Sequence, residues 1–123
     1  MSSDPEHTRL VERVLEYLEG RPEYHTIRAH VGDHPQPNPV NGKVPDITAF
    51  RREKFVIFRA FTESALRGAP FAEESRAFAH SASFEHISYH VIVPESCGGE
   101  EGLEVARQRV KEIGIHVDNI WFV

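Results

Sequence analysis

Cysteine is almost missing from this chain: Cys97 is the only one. An internal disulfide and a multi-cysteine zinc site are therefore excluded. Basic residues are outnumbered, 14 Lys and Arg against 19 Asp and Glu, for a formal charge of −5 with histidines neutral. That balance argues against a dedicated nucleic-acid binder, which carries a basic face, although the distribution of charge matters more than its sum. The short cluster Arg51, Arg52, Lys54 is interrupted by Glu53 and reads as a solvated hairpin tip. Long apolar runs are also lacking, and Met1 to Gly20 carries charges throughout. Neither a signal peptide nor a membrane helix is expected, so the expected location is cytoplasmic, with no membrane partner.

What is present is an ordinary globular composition. Hydrophobic residues make up 40% and charged residues 27% of 123 residues, which suits one domain with one core region. Asp4 can cap a leading helix, Pro5 suits its first turn, and Leu10, Val11, Val14, Leu15 and Leu18 share one face. Tyr24 to Val31 reads as a strand. Gly32 to Lys43 holds Pro35, Pro37 and Pro39 and must be a loop, of a length that is often functional. Val44 to Phe50 is a second strand, Arg51 to Lys54 a turn, and the apolar run Phe55 to Phe61 a third strand buried on both faces. The short connection makes these two an antiparallel hairpin. A helix follows over Phe71 to Ser81, then a strand over Ile87 to Val93, a loop at Ser96 to Gly99, and a helix over Glu100 to Ile113. That last helix has Leu103, Ala106, Val110 and Ile113 inward. Ile115 to Val123 closes the chain as a strand. The order is α-β-β-β-α-β-α-β: an α/β domain with a mixed central sheet, helices on both faces, and Phe55 to Phe61 near the middle.

That order, with Val44-Pro45-Asp46-Ile47 followed by a charged turn and Phe55-Val56-Ile57, resembles the PD-(D/E)XK nuclease superfamily. The ending, with Val93-Pro94 closing a strand and a final Gly114-Ile115 to Ile120-Trp121 segment, is similar to small Holliday-junction-resolvase-like members. By element order the resemblance covers nearly the whole chain; by residue motif it covers Val44 to Glu63. It implies a restriction-endonuclease-like core in which Asp46 is the first ligand of a Mg²⁺ ion.

The chemistry of phosphodiester hydrolysis asks for more: a second carboxylate on the metal, and a lysine or similar group near the attacking water. In the family both come from alternate positions of the third strand, since a period of two puts them on one face. Here one register offers Phe58 and Ala60, the other Arg59 and Phe61. Neither holds an acid or a lysine, and Arg59 neither ligates a metal nor acts as a base. The resemblance thus implies a catalytically degenerate domain that needs no cofactor. Relocated ligands are the alternative. Glu12 or Glu16 on the leading helix, Glu63 beyond the third strand, and Glu73 or Glu74 on the next helix could rebuild a site with Asp46, a Glu12–Asp46–Glu74 set among them. Mg²⁺ would be needed only in that case. Otherwise these glutamates are solvated helix charges, and Asp46 makes a local hydrogen bond beside proline.

Other groups have both functional and plain structural readings. His30, Asp33 and His34 could hold Zn²⁺, but no element fixes their spacing. Cys97 precedes a helix but has no positioned base. His90 shares a strand face with Ser88 and Ile92. Tyr24, Phe50, Phe84, Tyr89, Trp121 and Phe122 are not assigned to the core by pattern. An apolar final strand ending Ile120-Trp121-Phe122-Val123 suggests an edge paired in a homodimer. The expected role is binding, with nucleic acid or a protein as partner; the acidic balance favours protein.

Overall fold

A computed structural model describes residues 4–123; Met1, Ser2 and Ser3, the start of the segment read above as lacking a leader, lie outside them. Helix α1 (Pro5–Glu19) opens the chain, with the Asp4 side chain accepting from the Glu6 N–H at 3.1 Å. Strands β1 (Tyr24–Ala29), β2 (Ile47–Arg51) and β3 (Lys54–Ala60) follow, then α2 (Glu63–Arg67), α3 (Ala69–Ser81) and β4 (Ile87–Val93). A two-residue hairpin, β5 (Ser96–Cys97) and β6 (Glu100–Glu101), leads into α4 (Gly102–Ile113) and the final strand β7 (Asn119–Phe122). Among the described residues no helix is long and apolar enough to cross a membrane.

The sheet order is β1-β2-β3-β4-β7. β1, β2 and β3 form an antiparallel meander, while β3, β4 and β7 run parallel. The expected mixed sheet is present, and β3 is its middle strand. Its centrality follows from sequence, because a strand covered on both faces has no polar positions to spare.

Helices flank both faces. On one side, the α1 stripe Leu10, Val11, Val14, Leu15 and Leu18 packs on Ala49, Val56, Phe58, Ala60 and Ile92. On the other, Leu66, Phe71, Phe78, Val105 and Ala106 from α2, α3 and α4 pack on Ile57, Tyr89, Val91 and Val93. α3 and α4 lie on the same face because both connect neighbouring parallel strands with crossovers of one hand.

Several boundaries differ from expectation. The last strand, expected over Ile115 to Val123, forms only over Asn119–Phe122, and β1 stops at Ala29, short of Val31. Val44 to Asp46 precede β2 rather than belonging to it. The residues after β3 wind into the extra turn α2, where Thr62 starts a short helix ahead of Gly68. The Ser96 to Gly99 segment is no plain loop: Ser96 and Cys97 pair with Glu101 and Glu100, and Gly98-Gly99 is the hairpin tip. α4 starts at Gly102 and buries Val105 and Ala106, with Leu103 only half-buried. Gly102 sits so close to the strand end that a Cβ there would lie 1.7 Å from the Pro94 carbonyl oxygen. No side chain fits, and the helix must begin on a glycine.

The unassigned aromatics also resolve. Tyr89 is fully buried, Tyr24, Phe50 and Trp121 are half-buried, and Phe84 is exposed. Trp121 packs within its own chain: its ring meets Tyr17 of α1 at 5.3 Å and Phe58 of β3 at 5.9 Å between centroids. Trp121 is therefore no reason to invoke a second copy. The exposed apolar side chain on this edge strand is Phe122.

Candidate functional site

The register of the β2–β3 hairpin builds the site. Ile47 pairs with Phe58 and Arg51 with Lys54, so one step further Asp46 faces Arg59 across the ladder. Directly opposed, oppositely charged residues attract. Here they do so where β2 begins and β3 ends, next to the first turns of α1 and α3. Asp46 is 4% exposed. Its Oδ2 accepts from Arg59 Nη1 at 2.6 Å and from the Ala60 backbone N–H at 2.7 Å. Its Oδ1 accepts from His7 Nε2 at 2.8 Å. Arg59 Nε and Nη2 turn the other way, donating to Glu74 Oε1 at 2.5 Å and Oε2 at 3.2 Å. One guanidinium thus lies between two carboxylates, a two-point grip on one and a short bond to the other.

The electrostatics agree with this geometry. Burial alone would push the Asp46 carboxyl up. The His7 hydrogen bond, the Arg59 charge and the Ala60 N–H outweigh it and hold Asp46 below its ordinary value. Burial would likewise weaken the charge on Arg59, but Glu74 and Asp46 reverse that and hold the proton more firmly than usual. The cluster is an Asp–Arg–Glu triad joined by two ion pairs. His7 lies at its solvent side, and a cleft of about 640 Å³ opens outward past His7, His30, Thr62 and Ser64.

The candidate residues separate into two groups. Asp46 and Glu74 are brought together, with Arg59 between them. Glu12 is not part of the cluster; it is exposed and lies beside Leu15, Glu16 and Glu19. The reason is helical geometry: Glu12 is five positions past His7, about 140° around the axis, so it points away when His7 points in. Glu16 shares that outer surface, and Glu73 is exposed on α3. Glu63 belongs elsewhere: its Oε2 accepts from Arg67 Nε at 3.3 Å, and Arg67 also reaches Glu100 at 3.4 Å. A Glu12–Asp46–Glu74 metal set is therefore not formed.

The residues do not fit a Mg²⁺ ion of the kind the resemblance implies. Both Asp46 oxygens and both Glu74 oxygens already accept hydrogen bonds, three of the bonds from a fixed cation. Among the described residues no three His, Cys, Asp or Glu side chains converge as a metal site. His30, Asp33 and His34 do not converge either. His30 Nδ1 bonds Gln36, while His34 bonds Glu19 at 3.1 Å and the Val31 carbonyl at 3.2 Å. Cys97 is buried in the core, and burial raises its thiol pKa, which suits packing rather than nucleophilic chemistry.

Sequence reasoning missed His7 and the role of Arg59. The signal for Arg59 was available: a two-residue turn at Arg52-Glu53 fixes the register and sets position 46 against 59. His7 carried a weaker one, lying three residues before Leu10 on the same helix face. In comparison with known proteins, no family model, no curated protein and no solved structure gives a match to this chain.

Proposed function

We propose that this chain is a nuclease-like binding domain in which its own Arg59 stands where a catalytic cation would be held. The observation that carries the reading is the Asp46–Arg59–Glu74 triad, with a guanidinium gripped between two carboxylates. Supporting it are the position of Asp46 before the second strand of a β-meander, the following parallel strands, and the leading helix. These suit a restriction-endonuclease-like arrangement. A guanidinium supplies positive charge but has no open coordination position for water, so it cannot generate a hydroxide nucleophile. The triad instead locks α3 to the β2–β3 hairpin and shapes the floor of the His7 cleft. What binds there is a protein partner in preference to nucleic acid, because the cleft has its fixed cation already paired and Asp4 and Asp46 on its walls. Phosphate contact needs cations aimed outward.

The test is incubation of the purified protein with Mg²⁺ or Mn²⁺ and single-stranded, duplex and branched DNA. The expected result is no cleavage. Cleavage that disappears in Asp46→Ala would replace this reading with that of a divergent nuclease.

A further inference from the structure

One helix covers one face of a five-stranded sheet. Strands are spaced about 4.8 Å apart, while a helix with its side chains is about 10 Å across. α1 therefore cannot cover that face, and β4 and β7 are left partly open beyond its C-terminal end. The opening is a cleft of about 510 Å³, at the end of the sheet opposite Asp46. Val56, Ser88 and His90 line it from the strands, with the aromatic rings of Tyr17, Tyr24 and Trp121 around them.

Three observations there point to a ligand. First, Ser88 is 4% exposed and lines the cleft, yet its hydroxyl makes no hydrogen bond among the described residues. Second, the Trp121 indole N–H donates to His90 Nδ1 at 3.0 Å. This fixes the neutral tautomer, so the proton is on Nε2, a donor with no protein acceptor. Burial pushes the His90 pKa down to about 4, so the ring stays neutral near pH 7. Third, Arg51 and Lys54 are paired directly across β2 and β3, and both are exposed. Like charges so placed repel, and neither makes an ion pair among the described residues. A bound anion would relieve that repulsion.

Two acids also line the cleft. Asp118 is engaged, accepting from the Tyr89 N–H at 2.9 Å and from His116 Nε2 at 3.1 Å. Glu23 makes no ion pair and offers an acceptor for an amino group. The cleft thus combines an anion-binding pair, aromatic walls, two unused donors and one unused acceptor, in a volume typical of small-molecule sites.

We infer that this cleft binds a small planar organic anion of the nucleoside-monophosphate class. The phosphate lies against Arg51 and Lys54, the ring lies along Trp121, and the ring edge meets His90 Nε2–H and the Ser88 hydroxyl. The site is independent of the Asp46 cluster and stands whether or not that cluster is catalytic.

Trp121 is the only tryptophan in the chain, so its fluorescence reports the site directly. Adenosine 5′-monophosphate titrated into the full chain should change that fluorescence saturably below about 1 mM. Adenosine alone and inorganic phosphate alone should each bind at least about tenfold more weakly. The Arg51→Ala/Lys54→Ala double variant, altered only at exposed positions, should weaken the nucleotide by at least about tenfold while keeping the wild-type circular dichroism. His90→Phe should weaken it as well. No saturable change with the nucleotide, or equal affinity in the double variant, would overturn the assignment; so would adenosine binding as tightly as the nucleotide.

Discussion

The two ends of the sheet hold similar residue types in opposite states. At the Asp46 end an acid and an arginine face each other across the β2–β3 ladder, and every charge has a partner. At the Arg51 end two cations face each other across the same ladder, and neither has one. One hairpin register produces both, since pairing 51 with 54 also sets 46 against 59. The difference shows that a ladder position opposite an arginine can pair its charge or leave it unpaired. Which it does depends on the sign of the facing residue.

The sharpest break of this comparison is Arg59→Leu. It leaves Asp46 buried and Glu74 without its cation, and should cost about 3–5 kcal/mol in urea unfolding, the range for breaking a buried pair by removing one partner. Arg51→Ala should fall within about 0.5 kcal/mol of wild type, or gain slightly, because it removes a repulsion at the surface. Equal effects at the two positions would show that the ends do not differ.

Acid titration separates the ends by pH window. His90 has its folded pKa depressed to about 4 from 6.5. The unfolded chain therefore takes up a proton that the fold refuses between those values, and stability falls as pH drops through that window, by about 3 kcal/mol in all. Asp46 is a carboxylate with a lowered folded pKa. Its contribution is present above the ordinary value of 3.8 and is lost below it as pH falls through the folded pKa. Denaturation curves from pH 7 to pH 3 should show His90→Phe flattening the upper window only and Asp46→Asn the lower one only. A slope in the upper window that His90→Phe leaves unchanged would remove His90 as its source.

Smaller effects test the Arg51 end further. Trp121→Phe removes the indole donor to His90 and part of the ring area packed on Tyr17 and Phe58, and should cost at least about 1 kcal/mol, the usual net worth of the hydrogen bond alone. It should also move the His90 titration seen by NMR. Arg52 holds a φ of 59° as the first residue of the hairpin turn, a region that costs a side chain about 1–2 kcal/mol. Arg52→Gly should raise stability by up to about 1 kcal/mol once glycine's greater unfolded-state entropy is subtracted, seen as a higher melting temperature.

The frame of the fold was legible because its signals are local. The α1 stripe, the apolar β3 run, and the Ile87–Val93 strand closed by Pro94 each declare themselves within a few residues. α2 was not legible: five residues have too short a period to read, and Thr62 and Gly68 lie too close together for an ordinary helix. Within the site, Asp46 stood out beside its proline, and Glu74 was one of several acids open to consideration. The convergence on Arg59 was hidden because it depends on register across two strands, and His7 because it depends on where a helix end docks. Glu12 looked equally eligible in sequence but lies about 140° around the helix and about 7.5 Å further along it than His7.

The central claim is that Arg59 holds the cation position between Asp46 and Glu74. Calorimetric titration of Mn²⁺ into the wild-type chain tests it most directly. The account predicts no saturable binding by the wild type, and one new site in Arg59→Ala that Asp46→Ala removes. Saturable Mn²⁺ binding by the wild type, lost in Asp46→Ala, would contradict it.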